Sequence, residues 1–178
     1  MDVRDYVADA ITRTRTNTVN MVQGLTSEQL TWQIAPGANN VAFLLFHTFR
    51  VEDYFLRVLG AEQELWRRDG WDQRWTLPEP PDDVTGIWFT GNSWTPEDVA
   101  TYQPPPLDEM LAYGAAVHEA FLDHLRSLDL SRLQDTVWPR RNPTVTVARV
   151  LQMVAHHESE HQGHIGFILG LLPSSVTA

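Results

Sequence analysis

The sequence predicts an all-α fold: an antiparallel four-helix bundle with a long crossover between its second and third helices. Three observations carry this expectation. Four stretches repeat apolar residues at the 3.6-residue spacing of a helix rather than with the alternation of a strand. Breaks rich in proline, glycine or asparagine separate them. One connection, residues 70–106, is long enough to carry the chain across a bundle, and long crossovers are a recurring feature of antiparallel helix bundles.

Taken in order, the first helix is expected from Val3 to Gly24, with Tyr6, Ala10, Val19 and Val22 as its sparse apolar positions. Thr26 followed by Gln29 has the spacing of a capping box. Residues 36–40 then break the chain and offer Asn39 and Asn40 as N-caps for a second helix, Val41 to Leu59, which stops at Gly60. The crossover holds seven of the 11 prolines together with Trp71, Trp75, Trp88 and Trp94. So many tryptophans predict a packed excursion, since disordered linkers are poor in aromatics. Pro104–Pro106 introduce a third helix, Leu107 to Leu128. A loop with Pro139 and Pro143 leads to the fourth, Thr144 to Leu172, ended by Pro173. There is no internal repeat.

Composition narrows the function. At 178 residues, 43% hydrophobic and 20% charged, the chain suits a single globular domain spanning 1–178. It has no apolar run of bilayer length, and its first fifteen residues mix both charge signs where a signal peptide would be apolar. A cytoplasmic protein without a membrane partner is expected. Net charge is −10 and all 13 basic residues are arginine. With only the pairs Arg67–Arg68 and Arg140–Arg141 as basic clusters, no nucleic-acid partner is expected, because phosphate would be repelled. The chain has no cysteine, so any metal must be held by histidine or carboxylate, and any thiol must come from outside.

Four of the seven histidines fall between His156 and His164. At about 100° per residue, His161 lies centrally in the apolar stripe of the fourth helix with Val150, Val154, Ile165, Ile168 and Leu172. His157 sits roughly 40° away in the same stripe, His164 and Glu158 on its margins, and His156 and Glu160 outside it. A spacing of four places His157 and His161 one turn apart, so both imidazoles can reach one ion. His47 shares a stripe of the second helix with Asn40, Phe43, Val51, Tyr54 and Val58, whereas Glu52 and Asp53 lie on other faces. A buried imidazole must satisfy its nitrogens, and His47 is open to two readings, a hydrogen-bonded core residue or a metal ligand. His118 and His124 read as surface or hydrogen-bonded residues. His157 to His161 also spells the His-Glu-x-x-His of zinc peptidases, with Glu158 as catalytic base. That reading is disfavoured, because the chain ends too soon for a downstream third ligand and shows no sign of a substrate-binding sheet.

Three stretches together resemble the DinB-like (DinB/YfiT) superfamily of metal-binding four-helix proteins. They are Leu25–Trp32 with Pro36–Asn40 and Phe43–Asp53, then Trp94–Val99 leading to Leu111–Tyr113, and finally His157–Ile165 followed by Gly166–Leu171. The resemblance implies a metal held by His47, His157 and His161. His164 departs from the glutamine that many members carry there, which bears on the surroundings of the ion and not on the ligand set. Three imidazoles leave a coordination position for water or substrate on zinc, nickel or iron. The resemblance further implies a metal-dependent S-transferase-like enzyme in which a small thiol, mycothiol or bacillithiol, is activated at the metal and joined to an electrophile. A homodimer is a second implication. The alternatives are a hydrolase and a non-catalytic stress-response protein that binds metal or ligand.

Overall fold

The computed structural model describes residues 1–82, 86–137, 145–173 and 175–176. Pro139, Pro143, the Arg140–Arg141 pair and Thr144 as a helix start lie outside the described residues. Among the described residues seven α-helices follow one another: α1 (Val3–Val22), α2 (Ser27–Thr31), α3 (Val41–Val58), α4 (Leu65–Arg68), α5 (Pro96–Thr101), α6 (Leu107–Ser127) and α7 (Val147–Gly170). Short 3-10 turns occupy Trp71–Gln73, Gly86–Thr90 and Leu130–Gln134. Among the described residues there is no strand, only an isolated antiparallel bridge between Thr136 and Thr146. None of their helices is long and apolar enough to cross a membrane.

Local chemistry sets the helix starts. Asp2 accepts from the backbone N–H groups of Arg4 and Asp5 while Asp5 accepts from the N–H of Asp2, which closes a capping box on α1. Thr26 and Gln29 form the reciprocal pair on α2 at 3.2 and 2.8 Å. The Asn40 side chain caps α3 by accepting from Phe43 N–H at 2.8 Å, and Thr146 caps α7. Thr95 and Asp98 box the start of α5, with Pro96 at its first position, where a missing N–H costs nothing.

The four long helices contact one another in a closed ring, α1 to α7 to α3 to α6 and back to α1. The buried face of α1 is Val7, Ile11, Thr14, Arg15, Thr18 and Val22. Of the sparse apolar positions, Val22 is fully buried, Ala10 and Val19 are half-buried, and Tyr6 is 65% exposed. Half of the buried face is polar, which apolar spacing alone does not reveal.

Helix α3 is enclosed on nearly all sides, with 15 of its 18 residues buried. Helices α6 and α7 cover one side of it, and α2 and the crossover turn at 86–90 cover the other. That enclosure buries Glu52 and Asp53 although neither shares the His47 face. Asp53 accepts from the backbone N–H groups of Leu65 and Trp66, from the Tyr113 hydroxyl and from Arg50, so it caps α4 from within the core. The crossover aromatics pack as expected: Trp71, Trp75 and Trp88 are buried, and Trp94 stacks on Phe46 at 5.0 Å between centroids.

Candidate metal centre

His47 lies midway along α3, and His157 and His161 lie one turn apart on α7, the helix packed against it. Their rings converge. His157 Nε2 stands 3.0 Å from His47 Nε2 and 3.0 Å from His161 Nε2, and one ligand atom from each of the three falls within 4.8 Å of the others. The opposite edge of His47 faces the Thr90 carbonyl, 2.7 Å from Nδ1. A carbonyl oxygen only accepts, so Nδ1 carries the proton and, in the neutral ring, Nε2 keeps its lone pair. On His161, Nδ1 meets His164 Nδ1 at 3.3 Å, which leaves Nε2 to face the cluster.

With His47 Nε2 an acceptor, His157 Nε2 can donate to His47 or accept from His161 but not both, so hydrogen bonding leaves the group underprovided. A cation accounts for all three lone pairs. Two nitrogens about 2.0–2.1 Å from a tetrahedral zinc lie roughly 3.3 Å apart, close to the two 3.0 Å separations at His157, within a set that spans 4.8 Å. The donor set therefore fits a divalent ion.

Electrostatics keep the rings neutral. Burial lowers the pKa of His47, partly countered by its bond to Thr90. Burial and the neighbouring imidazoles bring His157 down to about 2, and His161 is brought down to about 4 by the same causes. Neutral imidazoles are the form that binds metal.

Glu158 takes no part in the cluster. It is 2% exposed and binds Arg15, with Oε1 at 2.7 Å from Nη2 and Oε2 at 3.4 Å from Nε. Arg15 also donates to Glu52 at 2.5 Å and to the Gly114 carbonyl at 2.9 Å. Glu52 in turn meets His118 Nδ1 at 3.4 Å, and His118 Nε2 meets the Thr12 hydroxyl at 3.2 Å. A carboxylate occupied in this way is not placed as the base of a zinc peptidase. His156 is exposed and lies 3.6 Å from Glu160, in keeping with its position off the stripe. His124 is half-buried beside Arg132.

Sequence reasoning missed the Thr90 carbonyl and the Arg15 network. The network had a readable signal, since Val7, Ile11, Thr14, Arg15, Thr18 and Val22 repeat at helical spacing once polar residues are admitted to the stripe. A main-chain carbonyl in an aperiodic segment leaves no such trace.

An all-helical chain that gathers three imidazoles from two neighbouring helices defines a class of candidate metal-binding helical proteins. The chain belongs to the DinB superfamily, whose sequence profile matches residues 10–165. A crystal structure titled as the conserved protein of a locus from Enterococcus faecalis has the same fold. The two superpose with a TM-score of 0.83 at 20% identity, over 95% of this chain and 96% of that one. No curated protein sequence matches significantly.

Proposed function

We propose that His47, His157 and His161 bind one divalent metal ion through Nε2, and that the protein is a metal-dependent S-transferase-like enzyme acting on a small external thiol. The four long helices then form an antiparallel bundle within a single domain, with residues 70–106 as its crossover. The observation that carries this reading is the set of three Nε2 atoms turned toward one another, with His47 Nδ1 committed to a carbonyl.

Zinc, nickel or ferrous iron held there would supply Lewis acidity, lowering the pKa of a thiol such as mycothiol or bacillithiol so that the anion forms at neutral pH. The chain's own part is to hold three neutral donors in place, to add no carboxylate that would quench the ion's charge, and to leave one position open. Glu158, committed to Arg15, does not enter the set. The absence of cysteine makes an external thiol necessary, and no side chain of the protein competes with it.

Metal analysis of untagged protein should give about one divalent ion per chain, as expected of a single three-histidine site. Loaded protein should then join mycothiol, bacillithiol or glutathione to an electrophile, with conjugates read by mass spectrometry. A protein that stays ion-free after incubation with zinc, nickel and iron would refute the metal site. A loaded protein that conjugates none of the three thiols across a broad electrophile panel would refute the transferase while leaving the site intact.

A further inference from the structure

We infer that the crossover turn around Thr90 and Gly91 is a positioning device that fixes the His47 imidazole in its Nδ1–H tautomer, so that Nε2 faces the other two histidines as a lone pair. The inference rests on the metal-binding reading for its purpose and on the hydrogen-bond geometry for its substance. A neutral imidazole can carry its proton on either nitrogen, and the bond made by one nitrogen decides the state of the other. The Thr90 carbonyl, 2.7 Å from Nδ1, makes that choice here.

The turn that carries this carbonyl is held from several directions. The Thr90 hydroxyl donates to the Ile87 carbonyl at 2.5 Å and accepts from Asn92 Nδ2 at 2.9 Å, while Gly91 N–H donates to the Trp88 carbonyl at 2.9 Å. Arg50, three residues beyond His47 on α3, donates through Nε to the Phe89 carbonyl at 3.1 Å. Helix α3 thus grips two consecutive carbonyls of the crossover, one with Arg50 and one with His47. Arg50 cannot drift, because it is 1% exposed and bound to Asp53, Glu64 and the Tyr113 hydroxyl.

Gly91 permits the close approach. Its φ is +86°, a conformation costly to residues with a side chain. A Cβ there would lie 2.9 Å from Phe43 Cε2 and 3.4 Å from His47 Nδ1. Phe43 lies nearly parallel to His47, with centroids 5.7 Å apart and planes at 10°, so a displaced Phe43 would disturb the imidazole beside it. Two residues on, Ser93 also has a positive φ of 70°. A non-glycine residue keeps that conformation only where its surroundings impose it.

The test uses ion-free protein first. Long-range proton–nitrogen NMR of the chelator-treated chain should show His47 with a protonated Nδ1 and a bare Nε2. Gly91→Ala should shift His47 toward the other tautomer and weaken zinc binding about 10- to 100-fold, the usual cost of losing a partner that orients a ligand. Gly114→Ala is the control for crowding alone, because its Cβ would meet Phe49 at 2.7 Å in the core without touching the histidines. It should lower stability and leave both tautomer and zinc affinity as they were. Should Gly91→Ala not fold, Thr90→Val decides, since it removes the hydroxyl that ties the turn to Ile87 and Asn92 and keeps the side-chain volume. Thr90→Val should then lower zinc affinity and mix the tautomers. Wild-type His47 protonated on Nε2, or tautomer and affinity both unmoved in the folding variants, would overturn the inference. A wild-type chain that shows the Nδ1–H tautomer and takes up no metal would sink the metal reading alone.

Discussion

Two groups of polar side chains lie between α3 and α7, one buried and the other half-buried at its α7 edge. One joins Arg15, Glu52, Glu158 and His118, and the other joins His47, His157 and His161. The first is internally complete. Arg15 spends its donors on two carboxylates and a backbone carbonyl, stacks 4.3 Å over Phe49, and leaves little for an outside ion to do. The second offers several acceptors and too few donors, with no charge of its own. A polar group that satisfies itself contributes to the architecture, whereas one that turns several lone pairs on a common point is poised for something the chain does not supply.

The strongest way to break the contrast is to remove the arginine. Arg15→Met would leave two carboxylates buried without their cation and should cost about 3–5 kcal/mol in urea unfolding, because an uncompensated buried charge is expensive. Zinc affinity of the folded fraction should not change. A loss of affinity matching the loss of stability would show the two groups to be one.

Metal removal comes next in size. At a hundredfold excess over Kd, a bound ion adds about 2.7 kcal/mol, so a chelator should lower the melting temperature of wild-type protein. His161→Ala should melt at one temperature with or without chelator, and His156→Ala should respond as wild type does. Equal chelator responses from the two variants would separate the site from the stripe that defines it.

A third effect is that of acid on ion-free protein. Its imidazoles hold depressed pKa values, about 2 for His157 and about 4 for His161, against about 6.5 in an unfolded chain. Between those limits the unfolded state binds more protons, so stability is full above pH 6.5 or so and falls as pH drops toward 4. His157→Ala should flatten that slope in a series of denaturant melts. An unchanged slope would mean that the rings open to water and carry their protons in the folded state.

The sequence made the histidine site more legible than its neighbour for a physical reason. A histidine in an apolar stripe stands out, and His47, His157 and His161 could be placed by angle alone. Pairing them across helices needed the family resemblance, since periodicity orients a residue on its own helix and says nothing of the next. Arg15 and Glu158 were lost for the opposite reason: charged residues are assigned outward by default, and only their mutual neutralisation brings them in. On α1 the buried face that Arg15 completes also holds Val7, Ile11, Thr14 and Thr18, none of them among the sparse apolar positions read from the sequence. Asn40, Thr26 and Gln29 were readable because capping is local. Thr90 was not, because its contribution comes through a backbone atom that every residue has.

His157 and Glu158 are sequence neighbours, yet one belongs to each buried group. Successive residues on a helix point about 100° apart, so α7 meets its surroundings with two incompatible chemistries at once. Were the helix to slip by one residue, a carboxylate would move toward the imidazoles and a histidine toward the arginine. The apolar stripe of α7 resists the same slip, since a turn of about 100° would carry it off the core. Adjacent unlike residues therefore act as a key, adding a polar check to the rotation and depth that hydrophobic packing favours.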